Sequence, residues 1–230
     1  METVHINQDG GRFRASTHAA IAGRERELRS LADGVRRLNA AVVSNTATVS
    51  ETESLAEAVH ALADRMEGHV PDVPPLRYAG GENPDDLEPH DIFPYDPVLG
   101  VYSPLALPVE CEYRDGKAIG VARFGTPYEG PPGCVHGAVL AGVFDQVFNV
   151  ANIMGGTAGP TTHLSLRYRR PTPLREELRF EAWVESVADG RVESRGHVEH
   201  AGQVTVESVG RFRILDPERV SNLMREGEGA

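Results

Sequence analysis

Apolar residues recur at alternating spacings of three and four along the first third of the chain. Such stripes predict amphipathic helices, one over residues 17–43 and a second beyond residue 50. The stripe residues are Leu28, Leu31, Val35, Leu38 and Val42, then Leu55, Val59, Leu62 and Met66. Ser50 followed by Glu53 predicts a capping box at the second helix, and Gly68 is placed to end it. Two helices with a short connection predict an antiparallel hairpin used for packing or dimerisation.

Beyond the helices the pattern becomes that of short strands. Residues 105–113 and 118–124 alternate on either side of Asp115-Gly116, which predicts a hairpin. Four further strands are predicted over residues 161–170, 177–188, 191–200 and 204–215, with turns at Asp189-Gly190 and Ala201-Gly202. We expect these four strands to form an antiparallel meander.

One segment between the strands is apolar on almost every side. Residues 136–154 predict a helix buried under the sheet, and Gly155-Gly156 ends it. The predicted fold class is therefore α+β, an antiparallel sheet wrapped around one long buried helix and preceded by a helical hairpin.

Proline and acidic residues separate the two patterns. Seven prolines between Pro71 and Pro97 predict a linker or a wrapped loop, because proline removes backbone donors and restricts the preceding residue. The predicted division is a helical hairpin over residues 1–70, a Pro-rich linker over 71–102, the α+β domain over 103–216 and a C-terminal tail over 217–230.

Composition and charge narrow the classes of function. The 230 residues are 40% hydrophobic and 25% charged, as in ordinary globular proteins, and the net charge of −11 disfavours nucleic acid as a partner. The two cysteines give no disulfide framework, which predicts a reducing, cytoplasmic location. No stretch approaches the roughly 20 apolar residues of a membrane span, and the polar residues 1–16 are unlike a signal peptide.

Asp145 is the first candidate for chemistry. It is the only formally charged residue between Cys134 and Leu164, and a lone carboxylate on an apolar helix is costly to bury. Two interpretations are open: a general base made stronger by burial, or a structural Asp bonded to a helix terminus or to Asn149.

The N-terminus of the buried helix is the second candidate. Gly133, Gly137 and Ala138 leave its backbone N–H groups sterically open, so that they could polarise a carbonyl or could simply form a tight turn. Asp145 follows His136 by nine residues, or roughly 13 Å along a helix. Both groups must lie about 3 Å from one reacting carbonyl. If both act, they come from different subunits, which predicts a functional dimer.

The strand after this helix has two different faces. Leu164, Leu166 and Tyr168 should cover the helix. The other face could meet an anionic ligand or could be merely solvated; it carries Thr161, His163, Ser165, Arg167 and Arg169. The pairs Cys134/His136 and His197/His200 have spacings that favour neither a catalytic dyad nor a metal site. No metal or cofactor is predicted.

The run Pro131-Pro132-Gly133-Cys134-Val135-His136-Gly137-Ala138, followed by Asp145, resembles the hotdog-fold acyl-CoA thioesterases. The similarity is greatest to the phenylacetate-pathway (PaaI-type) and mitochondrial thioesterase-superfamily-member branch. Thr161 and the run Tyr168-Arg169-Arg170-Pro171-Thr172-Pro173-Leu174 extend the resemblance over residues 103–215. It implies a hotdog fold, with sites between the subunits of a homodimer or a dimer of dimers.

The resemblance also implies hydrolysis of an acyl-CoA to a carboxylic acid and CoA. Asp145 would be the nucleophile or the general base, the N–H of Gly137 would polarise the carbonyl, and Thr161 would position Asp145 or the attacking water. The implied substrate contacts are His136, Ala138, Arg167, Arg169 and Arg191. Val139, Phe144 and Phe148 suit an apolar acyl group, although core packing explains them equally well.

Two positions depart from the family pattern. Ala138 replaces the second glycine of His-Gly-Gly, and Glu129-Gly130 stands where many relatives have Asn or Gln. These departures favour an alternative, a non-catalytic acyl-CoA- or CoA-binding or regulatory protein. A hydratase acting on enoyl-CoA would need a histidine soon after the Asp, but none follows Asp145 before His163.

Overall fold

The computed structural model describes residues 4–6, 20–72 and 93–215. Residues 73–92 of the predicted linker and the whole predicted tail lie outside these residues. The predicted start of the first helix at residue 17 also lies outside, but residues 20–23 are described and form turns, with Gly23 at φ 76°, so the helix begins later than predicted. The helices are α1 (Glu25–Ser44), α2 (Val49–Glu67) and α3 (Gly137–Met154), with a 3₁₀ turn at Thr126–Tyr128. The strands are β1 (Val4–Ile6), β2 (Val109–Arg114), β3 (Lys117–Ala122), β4 (Thr161–Tyr168), β5 (Leu178–Ala188), β6 (Arg191–His200) and β7 (Gln203–Arg213).

The strands form one antiparallel sheet in the order β1-β2-β3-β5-β6-β7-β4. The apolar helix α3 packs against this sheet. Its residues Phe144 and Phe148 are completely buried and contact the sheet residues Phe180 and Phe212, respectively. This confirms the predicted α+β class with one helix wrapped by a sheet. α3 is also the one described helix long and apolar enough to cross a membrane, a property that buried core helices share.

The predicted four-strand meander is wrong. Only β5, β6 and β7 follow each other in space, whereas β4 pairs with β7 and forms an edge, and β5 pairs with β3. The turns explain the difference. Paired residues with positive φ close each true hairpin, at Asp115-Gly116, Asp189-Gly190 and Ala201-Gly202. Residues 169–177 between β4 and β5 contain two prolines instead, and carry the chain to another part of the sheet.

The N-terminal helices are confirmed, but the capping box is not the predicted one. Thr48 is the N-cap of α2, its hydroxyl accepts the N–H of Glu51 at 3.3 Å, and the Glu51 carboxylate accepts the N–H of Thr48 at 3.0 Å. The motif Ser/Thr-x-x-Glu occurs twice in overlapping register, at Thr48 and at Ser50, and the helix starts at the earlier one. Gly68 ends α2 as predicted.

The helix α1 is anchored to the segment just before β2. Arg36 donates to the carbonyl oxygens of Val101 (2.8 Å) and Ser103 (3.2 Å), and Ala32 is buried. Ile21 packs with Val101 in a small separate cluster. α2, in contrast, has no buried residue along its whole length.

Candidate active site

A hydrogen bond joins the buried helix to the edge strand at Asp145. The hydroxyl of Thr161 donates to Oδ1 of Asp145 at 2.7 Å, and both side chains are half-buried. Asn149, the alternative partner considered from the sequence, donates instead to Gln146 at 3.3 Å. The carboxylate of Asp145 is therefore held by a neutral donor that leaves its second oxygen available.

An irregularity in β4 brings Thr161 to this position. Thr161 pairs with Phe212 and His163 pairs with Arg211, so Thr162 is an extra residue between them, a β-bulge. Because Phe212 is buried and Arg211 is exposed, Thr161 lies on the inner face and His163 on the outer face. The prediction that Thr161 shares the face of His163 is thus wrong, since strict alternation ignores the bulge. The Thr162 hydroxyl donates to the carbonyl oxygen of Arg211 at 3.0 Å.

A second carboxylate, Asp96, lies within electrostatic range of Asp145. Oδ1 of Asp96 accepts the N–H groups of Val98 and Leu99, both at 2.8 Å. Burial raises the pKa of Asp96, and the negative charge of Asp145 acts in the same direction, while the two N–H donors oppose them. Sequence reasoning missed this residue inside the predicted linker. The available signal was an Asp-Pro turn, in which an Asp side chain caps the N–H groups that follow it.

The N-terminus of α3 offers one free backbone donor. Nδ1 of His136 accepts the N–H of Ala138 at 3.0 Å, so His136 is the N-cap and the Ala138 N–H is occupied. No acceptor within the described residues takes the N–H of Gly137. Gly137 is fixed from the other side, because Tyr168 donates its hydroxyl proton to the Gly137 carbonyl oxygen at 3.1 Å. Of the three residues predicted to leave their N–H groups open there, Gly133 donates to Glu129 and Ala138 to His136, so Gly137 is the one available to polarise a carbonyl.

The loop before α3 is closed on itself. Oε1 of Glu129 accepts the N–H of Gly133 at 2.6 Å and so holds this loop together. Gly130 cannot carry a side chain in this conformation, because a Cβ would lie 2.8 Å from Cα of His136.

The proline-rich run after β4 braces the same loop. The carbonyl oxygen of Thr172 accepts the N–H of Val135 at 2.8 Å, and the N–H of Leu174 donates to the carbonyl oxygen of Gly133 at 2.9 Å. Thr172 and Leu174 are buried. This run therefore holds the entrance to α3 and has a structural role in addition to any contact with a ligand.

The two candidate groups are separated along one continuous helix. Asp145 follows Gly137 by eight residues, which corresponds to about 12 Å of helix. A single carbonyl cannot contact the N–H of Gly137 and the carboxylate of Asp145 in the same chain. Within one copy, the arrangement therefore supplies two half-sites.

The three predicted arginines do not form one cluster. Arg169 is bound to Glu207, at 2.7 Å from Nη2, and lowers the pKa of that carboxyl through a hydrogen bond and its charge. Arg167 is exposed on β4 near the same end of the sheet. Arg191 lies opposite Arg213, close to the Thr161 end, about 20 Å from Arg167 along the strands. An exposed cleft beside it is lined by His163, Arg191, Glu193, Arg211 and Arg213.

Other predicted features are assigned to the core. Phe144 and Phe148 are completely buried and do not line an opening, whereas Val139 is half-buried and Ala138 is exposed at the helix tip.

Burial raises the pKa of the Cys111 thiol to about 12, so it stays protonated and unreactive at neutral pH. His197 pairs with Glu199 at 3.1 Å, and no group of metal-binding residues occurs among the described residues.

Comparison with known proteins identifies one superfamily. The family model described as "Thioesterase superfamily" matches residues 132–207. A solved structure of a thioesterase superfamily protein is 36% identical, with a TM-score of 0.71, over 80% of this chain and 94% of that one. More distant is the Escherichia coli PaaI protein from the phenylacetic acid degradation operon, with 17% identity and a TM-score of 0.42 over 44% of this chain and 78% of that one. A Streptococcus mutans protein bound to acetyl CoA has 15% identity and a TM-score of 0.43 over 45% of this chain and 84% of that one.

Proposed function

Since this chain belongs to the thioesterase superfamily, we propose that it hydrolyses an acyl-CoA thioester to the free carboxylic acid and CoA. Its hotdog fold is that of the family. The observation that carries the proposal is the carboxylate of Asp145, half-buried on an apolar helix and held by the Thr161 hydroxyl at 2.7 Å. A carboxylate in such surroundings suits proton abstraction or direct attack.

Two routes use the same groups. In the first, Asp145 takes a proton from water while the water oxygen bonds to the thioester carbon. In the second, a carboxylate oxygen of Asp145 attacks that carbon, and water then opens the mixed anhydride. In both routes the C–S bond breaks, the CoA sulfur leaves with the bonding electrons and is protonated, and the Gly137 N–H stabilises the developing oxyanion.

We further propose that a homodimer is the active unit. The Gly137 N–H and the Asp145 carboxylate of one copy are about 12 Å apart, too far to act on one carbonyl. They can act together if the helix tip of one copy faces the Asp145 of the other. The edge strand β4 supports this assembly, because among the described strands only β7 pairs with it, while Leu164 and Leu166 are only half-buried. An open edge of eight residues with apolar alternation is suited to pairing with a second copy.

Arginine supports a CoA substrate in two different ways. Arg167 has no ion-pair partner among the described residues, so it is available to a phosphate of CoA. Arg191 and Arg213 face each other across neighbouring strands, and a bound anion would relieve their repulsion. Arg169, already bound to Glu207, is the weakest of the three predicted contacts. The acyl group would meet Ala138 and Val139 at the helix tip, with His136 beside them.

The second candidate function is binding of acyl-CoA or CoA without hydrolysis. It is favoured by the closed loop before α3, in which Glu129 serves Gly133 and Gly130 leaves no room for a side chain. A cytoplasmic location stays a prediction; the two free cysteines, Cys111 and Cys134, support it.

Release of CoA thiol from a panel of acyl-CoA substrates tests the proposal. We expect Asp145→Asn to lower kcat by about 10²- to 10⁴-fold, the typical contribution of a positioned base. Asp115→Asn is the matched control, because this turn residue at φ 53° tolerates Asn and lies outside the site. Full activity of Asp145→Asn would exclude the mechanism. Binding of CoA in calorimetry without turnover of any substrate would select the second function.

A further inference from the structure

The N-terminal helices carry an apolar seam that the described chain leaves largely uncovered. The seam residues of α1 are Leu28, Leu31, Val35, Leu38 and Val42, and those of α2 are Leu55, Val59, Leu62 and Met66. Of these, Leu28 is partly covered, because it packs against the small cluster of Ile21 and Val101. The spacing alternates between three and four residues, which is the a/d pattern of a coiled coil. Leu62 is 46% exposed and Leu55 is 58% exposed, so this pattern is not satisfied within one copy.

The two helices form an open groove rather than a closed pair. Leu31, Val35 and Leu38 of α1 line it together with Leu62 of α2, and its volume is about 840 Å³. A helix of 19 residues without any buried side chain is marginal in water, because most helical stability in proteins comes from packing of an apolar face. We therefore expect the apolar face of α2 to pack against a partner.

We propose that this partner is the helical hairpin of a second copy, and that the two hairpins form a four-helix bundle. α1 holds four arginines against three acidic residues, 4 − 3 = +1, whereas α2 holds one arginine against five acidic residues, 1 − 5 = −4. A surface with one more positive and one strongly negative helix is complementary to itself across a twofold axis. Each α2 then lies beside the α1 of the other copy.

The area of this surface is sufficient for a specific contact. Two adjacent helices about 28 Å long and 10 Å wide present roughly 560 Å² per copy, or about 1,100 Å² in all, which meets the usual minimum of about 1,000 Å². The residues beside the seam are small, among them Ala56, Ala58 and Ala63, and allow close approach. This interface uses neither β4 nor the candidate site, so it stands independently of the proposed function.

Pulsed electron paramagnetic resonance between spin labels on α2 tests the bundle. The label is attached at Glu57→Cys, on the helix face opposite the seam, in a Cys134→Ser background that removes the more accessible native thiol. We expect a narrow distance between copies. Leu62→Glu places a charge in the seam and should lengthen and broaden that distance, whereas Ala61→Glu adds the same charge one residue away, off the seam, and should preserve it.

The outcomes separate clearly. Absence of a distance between copies in the parent protein, or an unchanged distance in Leu62→Glu, would overturn the proposal. Because no residue of α2 is buried in one copy, neither substitution removes a buried contact of the folded α+β domain. CoA release measured on the same samples reports separately on the proposed function.

Discussion

A methyl carbon placed on Gly137 would lie 2.8 Å from the hydroxyl oxygen of Tyr168 and 3.3 Å from its Cζ. The same hydroxyl donates to the Gly137 carbonyl oxygen. The aromatic residue of the edge strand therefore holds the first turn of α3 at the residue whose N–H is free. Contact between these two residues defines how the proposed oxyanion donor is presented.

Gly137→Ala should lower kcat by roughly 10-fold or more, because Tyr168 must move and the first helical turn moves with it. In a Tyr168→Ala background the same change should cost much less, because the space is then open. A double-mutant cycle on CoA release measures this coupling. Additive effects of the two substitutions would show that Tyr168 does not position Gly137.

Thr161→Val should lower kcat by about 10- to 100-fold, because a hydrogen bond to a charged group contributes about 1.5–3 kcal/mol. Thr161→Ser retains the hydroxyl and should keep most of the activity. CoA release at saturating substrate, with the free energy of unfolding measured in parallel, checks both variants. Equal activity of the Val and Ser variants would mean that the bond to Asp145 has no part in turnover.

Local sequence signals predicted the elements of this fold well. The dipeptides Asp115-Gly116, Asp189-Gly190 and Ala201-Gly202 each form the predicted turn with positive φ at both residues. The all-round apolar character of residues 136–154 likewise predicted the buried helix. These features succeed because each depends on a few neighbouring residues and on burial.

The strand order and the direction of side chains were harder to predict from the sequence. Nothing local shows that β4 pairs with β7 rather than with β5, since that pairing depends on where residues 169–177 carry the chain. The bulge at Thr162 likewise depends on the partner strand, and it alone turns Thr161 inward. The resemblance to the thioesterase family placed Thr161 with Asp145, even though strand alternation placed it on the wrong face.

His136→Ala should destabilise the protein by about 1 kcal/mol, the usual cost of removing an N-cap side chain. His136→Asn should recover most of this loss, because Asn is a favourable N-cap whose side-chain oxygen can accept the N–H of Ala138. Denaturant unfolding of the three proteins at neutral pH provides the measurement. A His136→Ala variant as stable as the parent would contradict the capping role.

Asp96→Asn should change how stability depends on pH. The raised pKa of Asp96 means that the folded protein holds this proton more tightly than the unfolded chain, so its contribution is present below the ordinary pKa of 3.8 and is lost as pH rises through the folded value. The amide oxygen of Asn can still accept the N–H groups of Val98 and Leu99. Relative to the variant, the parent should therefore lose stability as pH rises from below 4 towards neutrality.

Denaturant unfolding at several pH values tests this difference, with Asp189→Asn as the control. Asp189 is an exposed turn residue at φ 52°, a conformation that Asn also adopts, so its removal should leave the pH profile parallel to that of the parent. If Asp96→Asn also runs parallel to the parent, the buried carboxyl is not perturbed by its surroundings. A parent that gains stability relative to Asp96→Asn with rising pH would instead mean that the N–H donors outweigh burial and the charge of Asp145.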